Sequence, residues 1–198
     1  MPSKRIFVLN GHPGETSLCR ALSERYVAAA RAAGHDVQVT HLNALEFDMD
    51  YGLGGYDNRK PLEACLETEV LQRMEWCNHI VITAPMWWGG LPAKLKGLFD
   101  RALVPGRAFD TRNTNLFGMP KGLLTGRSAR VIMTSDTPRW FLRFAYDSAI
   151  LHQIRGQILG FCGFRRARVT WLAGASHPDS TKVGKWMAHV DDLGRSGA

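Results

Sequence analysis

The chain has 198 residues, 45% hydrophobic and 22% charged, which suits one globular domain with a full core. Lys and Arg total 25 against 18 acidic residues, a formal charge of +7, but no basic cluster is interleaved with aromatics as in a nucleic-acid module, so the surface reads as attractive to anionic small molecules. No apolar run approaches the ~20 residues of a membrane span, and Ile6 to Leu9 after Lys4-Arg5 is too short for a signal-peptide core.

Residues 4–10 form a continuous apolar run, as in a parallel strand covered on both faces. It breaks at Gly11-His12-Pro13-Gly14, after which Thr16 or Ser17 can cap a helix. That helix places Leu18, Leu22, Tyr26, Ala29, Ala30 and Ala33 on one face and stops at Gly34. A second strand spans Asp36 to Leu42. The stretch 43–61 is rich in glycine and aspartate and reads as a long loop. Helical spacing returns from Leu62 to Cys77 and leads into a third strand, His79 to Ala84.

The segment Pro85-Met86-Trp87-Trp88-Gly89-Gly90 follows that buried strand at once and opens a helix at Leu91-Pro92 whose apolar side is Leu91, Leu95, Leu98, Phe99 and Ala102. Residues 104–127 form an excursion without clear periodicity, in which 106–111 reads as one arm of a small hairpin. A fourth strand, Ala129 to Thr134, runs into Ser135-Asp136-Thr137-Pro138-Arg139-Trp140. A helical segment with Leu151, Ile154, Ile158, Phe161 and Cys162 stops at Gly163, and Ala167 to Leu172 is a fifth strand. Thr181 to Leu193 is a closing helix and 194–198 a frayed tail, all within a single domain, 1–198.

Strands alternating with helices predict a flavodoxin-like α/β sandwich, a five-stranded parallel sheet of order 2-1-3-4-5. In that order ligands bind where the first and third strands diverge, beyond their C-terminal ends. The loops 10–17, 85–90 and 135–140 would meet there. Thr16 and Ser17 offer hydroxyls and backbone N–H groups to a phosphate at a helix start. Trp87 and Trp88 read either as a packing pair or as a platform for a flat ring; their place at a strand end before two glycines favours the platform.

His12 is equally a packing or capping residue, and Asp136 and Thr137 equally turn formers. The absence of Gly-x-Gly-x-x-Gly and of Gly-Lys-Ser/Thr counts against a Rossmann dinucleotide and a triphosphate. His12-Pro13-Gly14-Glu15 is similar to the His-Pro-Asp-Asp-Glu run of zinc-dependent sugar deacetylases, but it lacks the first aspartate and a downstream His-x-x-His, so no metal is expected. Cys19, Cys65, Cys77 and Cys162 are widely spaced, as for reduced thiols in a cytoplasmic protein.

Three segments carry a resemblance over nearly the whole length: Gly11-His12 with Thr16-Ser17, Ala84 to Gly97, and Gly160-Phe161-Cys162-Gly163-Phe164. The chain resembles the flavodoxin-like NAD(P)H:quinone oxidoreductases, the DT-diaphorase family, which includes bacterial drug-activity modulators and ancillary oxidoreductases of potassium efflux systems. The resemblance implies a flavoprotein, with FMN or alternatively FAD, that takes a hydride from NAD(P)H onto flavin N5 and reduces quinones, nitroaromatics or azo compounds in ping-pong order. His12, Thr16, Ser17, Leu18 and Cys19 match the family's phosphate and ribityl loop. Pro85, Met86, Trp87, Trp88 and Gly89 match the turn against the isoalloxazine.

Thr134, Ser135, Asp136 and Thr137 match the loop beyond the ring, although the family has two threonines and two glycines there. Trp140, Tyr146 and His152 lie in the neighbourhood of its catalytic tyrosine and histidine. Relatives are homodimers with the site at the interface. The alternative role within the same family is a flavin-binding regulatory subunit of a transport system, with little turnover.

Overall fold

The computed structural model describes residues 2–50, 60–114, 118–164 and 166–198; parts of the predicted 43–61 loop and of the 104–127 excursion therefore lie outside the described residues. The strands are β1 (Arg5–Asn10), β2 (Asp36–His41), β3 (His79–Pro85), β4 (Phe109–Thr114), β5 (Pro120–Gly122), β6 (Ser128–Ser135) and β7 (Arg166–Ala173). Five of them form a sheet in the order β2-β1-β3-β6-β7, all neighbours parallel. Counted along the chain, that is the predicted 2-1-3-4-5 order.

The helices are α1 (Leu18–Ala32), α2 (Ala64–Leu66, a π-helical Glu67–Leu71, then Gln72–Trp76), α3 (Ala93–Ala102), α4 (Arg139–Ala145), α5 (Ala149–His152 and a π-helical Gln153–Gly160) and α6 (Ser180–Ser196). No described helix is long and apolar enough to cross a membrane.

The continuous apolar runs are explained by layers on both faces of the sheet. Side chains alternate along a strand, so Ile6 and Val8 join Leu22 and Tyr26 of α1 and Val190 of α6, while Phe7 and Leu9 join Leu66 and Met74 of α2 and Leu95 and Leu98 of α3. Each such aliphatic side chain, fully buried, stabilises the fold by about 1.5–3 kcal/mol. β1 and β3 pair from Ile6↔His79 to Asn10↔Thr83, and the chain leaves them in opposite directions, toward β2 and toward β6. The crevice between their ends is the switch point of the sheet.

The helix signals around α1 hold closely. The Ser17 hydroxyl accepts from the Arg20 N–H at 3.1 Å, and Gly34 turns left-handed at φ +84° after the last turn. Three expectations need correction. The predicted 194–198 tail is the last turn of α6: Gly194 is buried, and an added Cβ there would lie 2.7 Å from the Tyr26 carbonyl oxygen. Glycine lets α6 touch α1, and Gly197 at φ +60° closes the helix with Ala198 N–H donating to the Leu193 carbonyl at 2.9 Å.

The predicted hairpin arm at 106–111 is displaced to Phe109–Thr114, which pairs antiparallel with Pro120–Gly122. Helix α4 was not expected, because only Leu142 of its seven residues is buried and no amphipathic period exists to reveal it.

Candidate functional site

Loops at the C-terminal ends of four strands close on one cleft of about 230 Å³. It is lined by His12, Ser17, Leu18 and Cys19 after β1, Pro85, Met86 and Trp87 at the end of β3, Thr134, Ser135 and Asp136 at the end of β6, and Ala175 and Ser176 after β7. Ten of the fourteen residues proposed from the sequence as cofactor contacts thus share a wall. Thr16 lines a neighbouring depression with Glu15, Arg20 and Glu24. Trp88, Gly89 and Thr137 do not line the cleft, nor do Trp140, Tyr146 and His152.

The first loop is held by its own polar groups. Gly11 N–H donates to the Thr83 carbonyl at 2.7 Å, and an added Cβ on Gly11 would lie 2.6 Å from Leu95 Cδ2, so the chain passes tightly between β3 and α3. His12 N–H donates to Asn10 Oδ1 at 3.3 Å, and Gly14 N–H donates to His12 Nδ1 at 2.9 Å. Accepting at Nδ1 leaves the neutral imidazole's proton on Nε2. The ring stands edge-on to Trp87 with centroids 5.5 Å apart.

Downstream, the N–H groups of Thr16, Ser17 and Leu18 have no acceptor among the described residues. Unpaired donors at the positive end of a 15-residue helix suit an anionic group. Arg20 adds a nearby cation, held by Glu24 at 2.8 Å and by the Glu15 carbonyl at 3.1 Å. Nothing in the sequence singles out Arg20, since its neighbours place it on an ordinary helix face.

The Trp-Trp-Gly-Gly segment is a two-residue hairpin turn. Trp87 and Gly90 exchange both backbone hydrogen bonds, at 3.0 and 2.9 Å, with Trp88 at φ 52° and Gly89 at φ 74°. Positive φ at both central positions is the type I′ pattern, which favours Asn-Gly; a tryptophan there is strained. The turn separates the two indoles. Trp87 lines the cleft, whereas Trp88 is fully exposed.

The far wall is braced from two sides. Met86 N–H donates to the Thr134 carbonyl at 2.8 Å, and Thr134 Oγ1 lies 3.3 Å from Cys19 Sγ. Burial raises the Cys19 pKa to about 11, so the thiol stays protonated at neutral pH and acts as a small packing group. Asp136 accepts from the Ser176 N–H at 2.8 Å and from the Ser176 hydroxyl. Those hydrogen bonds, the hydroxyl's first, hold its carboxyl below the usual carboxylate range.

Thr137 turns toward β7 instead, its carbonyl accepting from Trp171 Nε1 at 3.0 Å. Ala175 and Ser176 were missed by sequence reasoning; the available signal was their position just past the last strand, where a fourth strand end must also meet the crevice. Among the described residues no group of three or more His, Cys, Asp or Glu side chains is placed to hold a metal ion.

A larger cavity, about 610 Å³, lies between α3, β4 and the π-helical part of α5 and contains none of the proposed residues. The smaller cleft is the better candidate for the site because the strand ends and the unpaired donors converge on it. Its chemistry suits a molecule with an anionic end at α1 and a flat body along Trp87.

Comparison with known proteins agrees with this geometry. A family model described as a flavodoxin-like fold matches residues 4–192. The FMN-dependent NADH:quinone oxidoreductase of Ruegeria pomeroyi is 31% identical over 146 residues, 67% of this chain and 70% of that protein. An NAD(P)H oxidoreductase of Haemophilus influenzae is 31% identical over 189 residues, 92% of this chain and 90% of that protein. The solved NAD(P)H:quinone oxidoreductase of Methanothermobacter marburgensis, 22% identical, superposes over 100% of both chains with a TM-score of 0.81 and shares the fold. The chain belongs to the flavodoxin-like family.

Proposed function

We propose, from that membership and from the cleft, that this oxidoreductase holds FMN at the switch point and reduces quinones with electrons from NAD(P)H. The observation that carries the reading is the joining of unpaired N–H donors at α1 and the Trp87 turn in one cleft. Thr16, Ser17 and Leu18 would bind the phosphate through backbone N–H groups, with Ser17 and Cys19 along the ribityl chain. Pro85, Met86 and Trp87 would position the ring, with Thr134, Ser135 and Asp136 at its far edge. FAD would use the same first-phosphate donors.

The chemistry supplied by the bound flavin is two-electron transfer from NAD(P)H to the acceptor. The protein's share is orientation and exclusion of water. His12, fixed by the Gly14 N–H, packs its ring in a T-shaped contact with Trp87. Backbone donors near the 85–90 and 134–137 turns would stabilise negative charge on the ring. One slot serving donor and acceptor in turn imposes ping-pong order, and a flat slot admits quinones, nitroaromatics and azo compounds alike. Trp140, Tyr146 and His152 lie outside the lining of this cleft.

We extend the reading to a homodimer. The reading rests on the resemblance, whose members are homodimers with the site at the interface. Light scattering on the purified protein checks this.

The purified chain should be yellow, absorbing near ~450 nm, and mass spectrometry of the released cofactor should give FMN. It should oxidise NADH or NADPH with menadione. A colourless protein that takes up neither FMN nor FAD and oxidises neither nucleotide would falsify the assignment; flavin binding without turnover would favour the regulatory subunit. Trp87→Ala should weaken flavin retention.

A further inference from the structure

The chain leaving β6 is tied down residue by residue. The Thr134 carbonyl accepts from the Met86 N–H at 2.8 Å, and the Ser135 carbonyl accepts from the Ala175 N–H at 3.2 Å. Asp136 accepts from the Ser176 N–H at 2.8 Å on Oδ1 and from the Ser176 hydroxyl on Oδ2. The Thr137 N–H donates to Ser135 Oγ at 3.0 Å, and its carbonyl accepts from Trp171 Nε1 at 3.0 Å. The loop is thereby joined to the Trp87 turn on one side and to the end of β7 on the other. Asp136 is the one carboxylate among the described residues lining the cleft. The bonds from Ser176, the hydroxyl's first, keep it ionised at neutral pH, so one negative charge is held in one place.

A lock between the two loops does not need that charge, because an asparagine carbonyl would accept from the Ser176 N–H as well. In a cleft whose other end offers unpaired N–H donors to an anion, a fixed carboxylate opposes the ligand those donors attract. We propose that Asp136, clamped by Ser176, sets the reduction potential of the bound flavin by holding a negative charge against its reduced form. The proposal rests on the flavin reading of the cleft. A hydride from NAD(P)H brings two electrons and one proton to the ring, leaving NAD(P)+ and a reduced ring with one negative charge. A quinone then removes both electrons and that proton, and takes a second proton from water. The phosphate at α1 is the same in both states and cancels; the ring charge is not, so the carboxylate penalises the reduced form alone. The bound flavin is thereby a stronger reductant toward its acceptor. Ser176 is the positioning residue, since its two hydrogen bonds fix where the charge stands.

The test is made on the full chain loaded with FMN at neutral pH, with flavin affinity read by fluorescence titration and the two-electron midpoint potential by equilibration with a reference dye. Asp136→Asn should raise the preference for reduced over oxidised FMN about tenfold, which for a two-electron couple is about 30 mV upward. Ser176→Ala keeps the charge but releases it toward solvent, and should raise the potential by less than Asp136→Asn does. Circular dichroism should stay unchanged in both; Ser176→Ala decides alone if Asp136→Asn does not fold.

A purely structural lock would weaken both forms of the flavin alike, changing the affinity and leaving the potential where it was. A potential in Asp136→Asn at or below that of the wild type, or one in Ser176→Ala equal to the wild type, would therefore overturn the proposal. Either result, obtained with flavin bound, leaves the flavin reading of the cleft in place. A wild type that takes up no FMN would overturn that reading and the role of Asp136 with it.

Discussion

Trp88→Asn should make the protein more stable although it removes the largest kind of side chain. The residue sits at φ 52° in a turn whose next residue, Gly89, is at φ 74°. An L-residue with a Cβ costs about 1–2 kcal/mol in that region, and asparagine recovers much of it through its local hydrogen bonding. The opposing term is burial, which is absent, because the indole is fully exposed. The net gain is about 1 kcal/mol, which for a chain of this length raises the melting temperature by about 2–4 °C.

Urea unfolding should move to a higher midpoint at an unchanged slope. Flavin retention should not change, in contrast to Trp87→Ala, because only Trp87 lines the cleft. A lower melting temperature in Trp88→Asn, or loss of flavin from that variant, would show that the ring has a partner and would refute the strain argument.

Gly194→Ala should destabilise by about 1–3 kcal/mol in denaturant titration, since its methyl would sit 2.7 Å from the Tyr26 carbonyl and 2.8 Å from Ala29 Cβ. Buried His79, its Nδ1 2.7 Å from Ser128 Oγ, has its pKa lowered to about 3 by desolvation first and then by Lys4 and Arg130. The unfolded chain binds this proton near pH 6.5 and the folded chain does not, so the contribution is complete above that pH and is lost on acidification toward pH 3. His79→Gln should flatten the stability curve between pH 6 and 4 by about 1.4 kcal/mol per unit, read from urea midpoints; parallel curves would refute it. Thiol titration should find Cys65 fastest, because Cys19, Cys77 and Cys162 are buried with pKa values raised to about 11, 11 and 12. Reaction of Cys19 ahead of Cys65 would mean that the cleft opens more widely than its packing implies.

How much of this was legible in the sequence follows from which interactions leave a periodic trace. The inner strands β1, β3 and β6 were readable because burial on both sides leaves mostly apolar runs, the half-exposed edge strands β2 and β7 from their place between helical segments, and α1 because Ser17 and Gly34 mark its ends. The cleft loops were readable for the same reason: each begins where an apolar run stops. The end of α6 was hidden, since Gly194 and Gly197 look alike in sequence while one is a close helix contact and the other a left-handed stop. The register of the β4–β5 hairpin was hidden too. Its strands are short and half exposed, and they carry no strict alternation to fix pairing.

The paired tryptophans mark the boundary most sharply. Two identical adjacent side chains carry one sequence signal, and as a platform both would face the same ligand. The backbone decides otherwise: a two-residue hairpin with both φ values positive must send successive side chains in different directions, so Trp87 turns to His12 and the cleft while Trp88 turns to solvent. Gly89 permits the turn, yet the tight register that forces it comes from Gly90, whose N–H and carbonyl both close on Trp87. The glycines were read as favouring a tryptophan platform for a flat ring. Their larger effect is to choose which indole meets it, and that choice is tertiary because the turn is set by β3 ending at Pro85 and by Met86 being tied to Thr134 of β6.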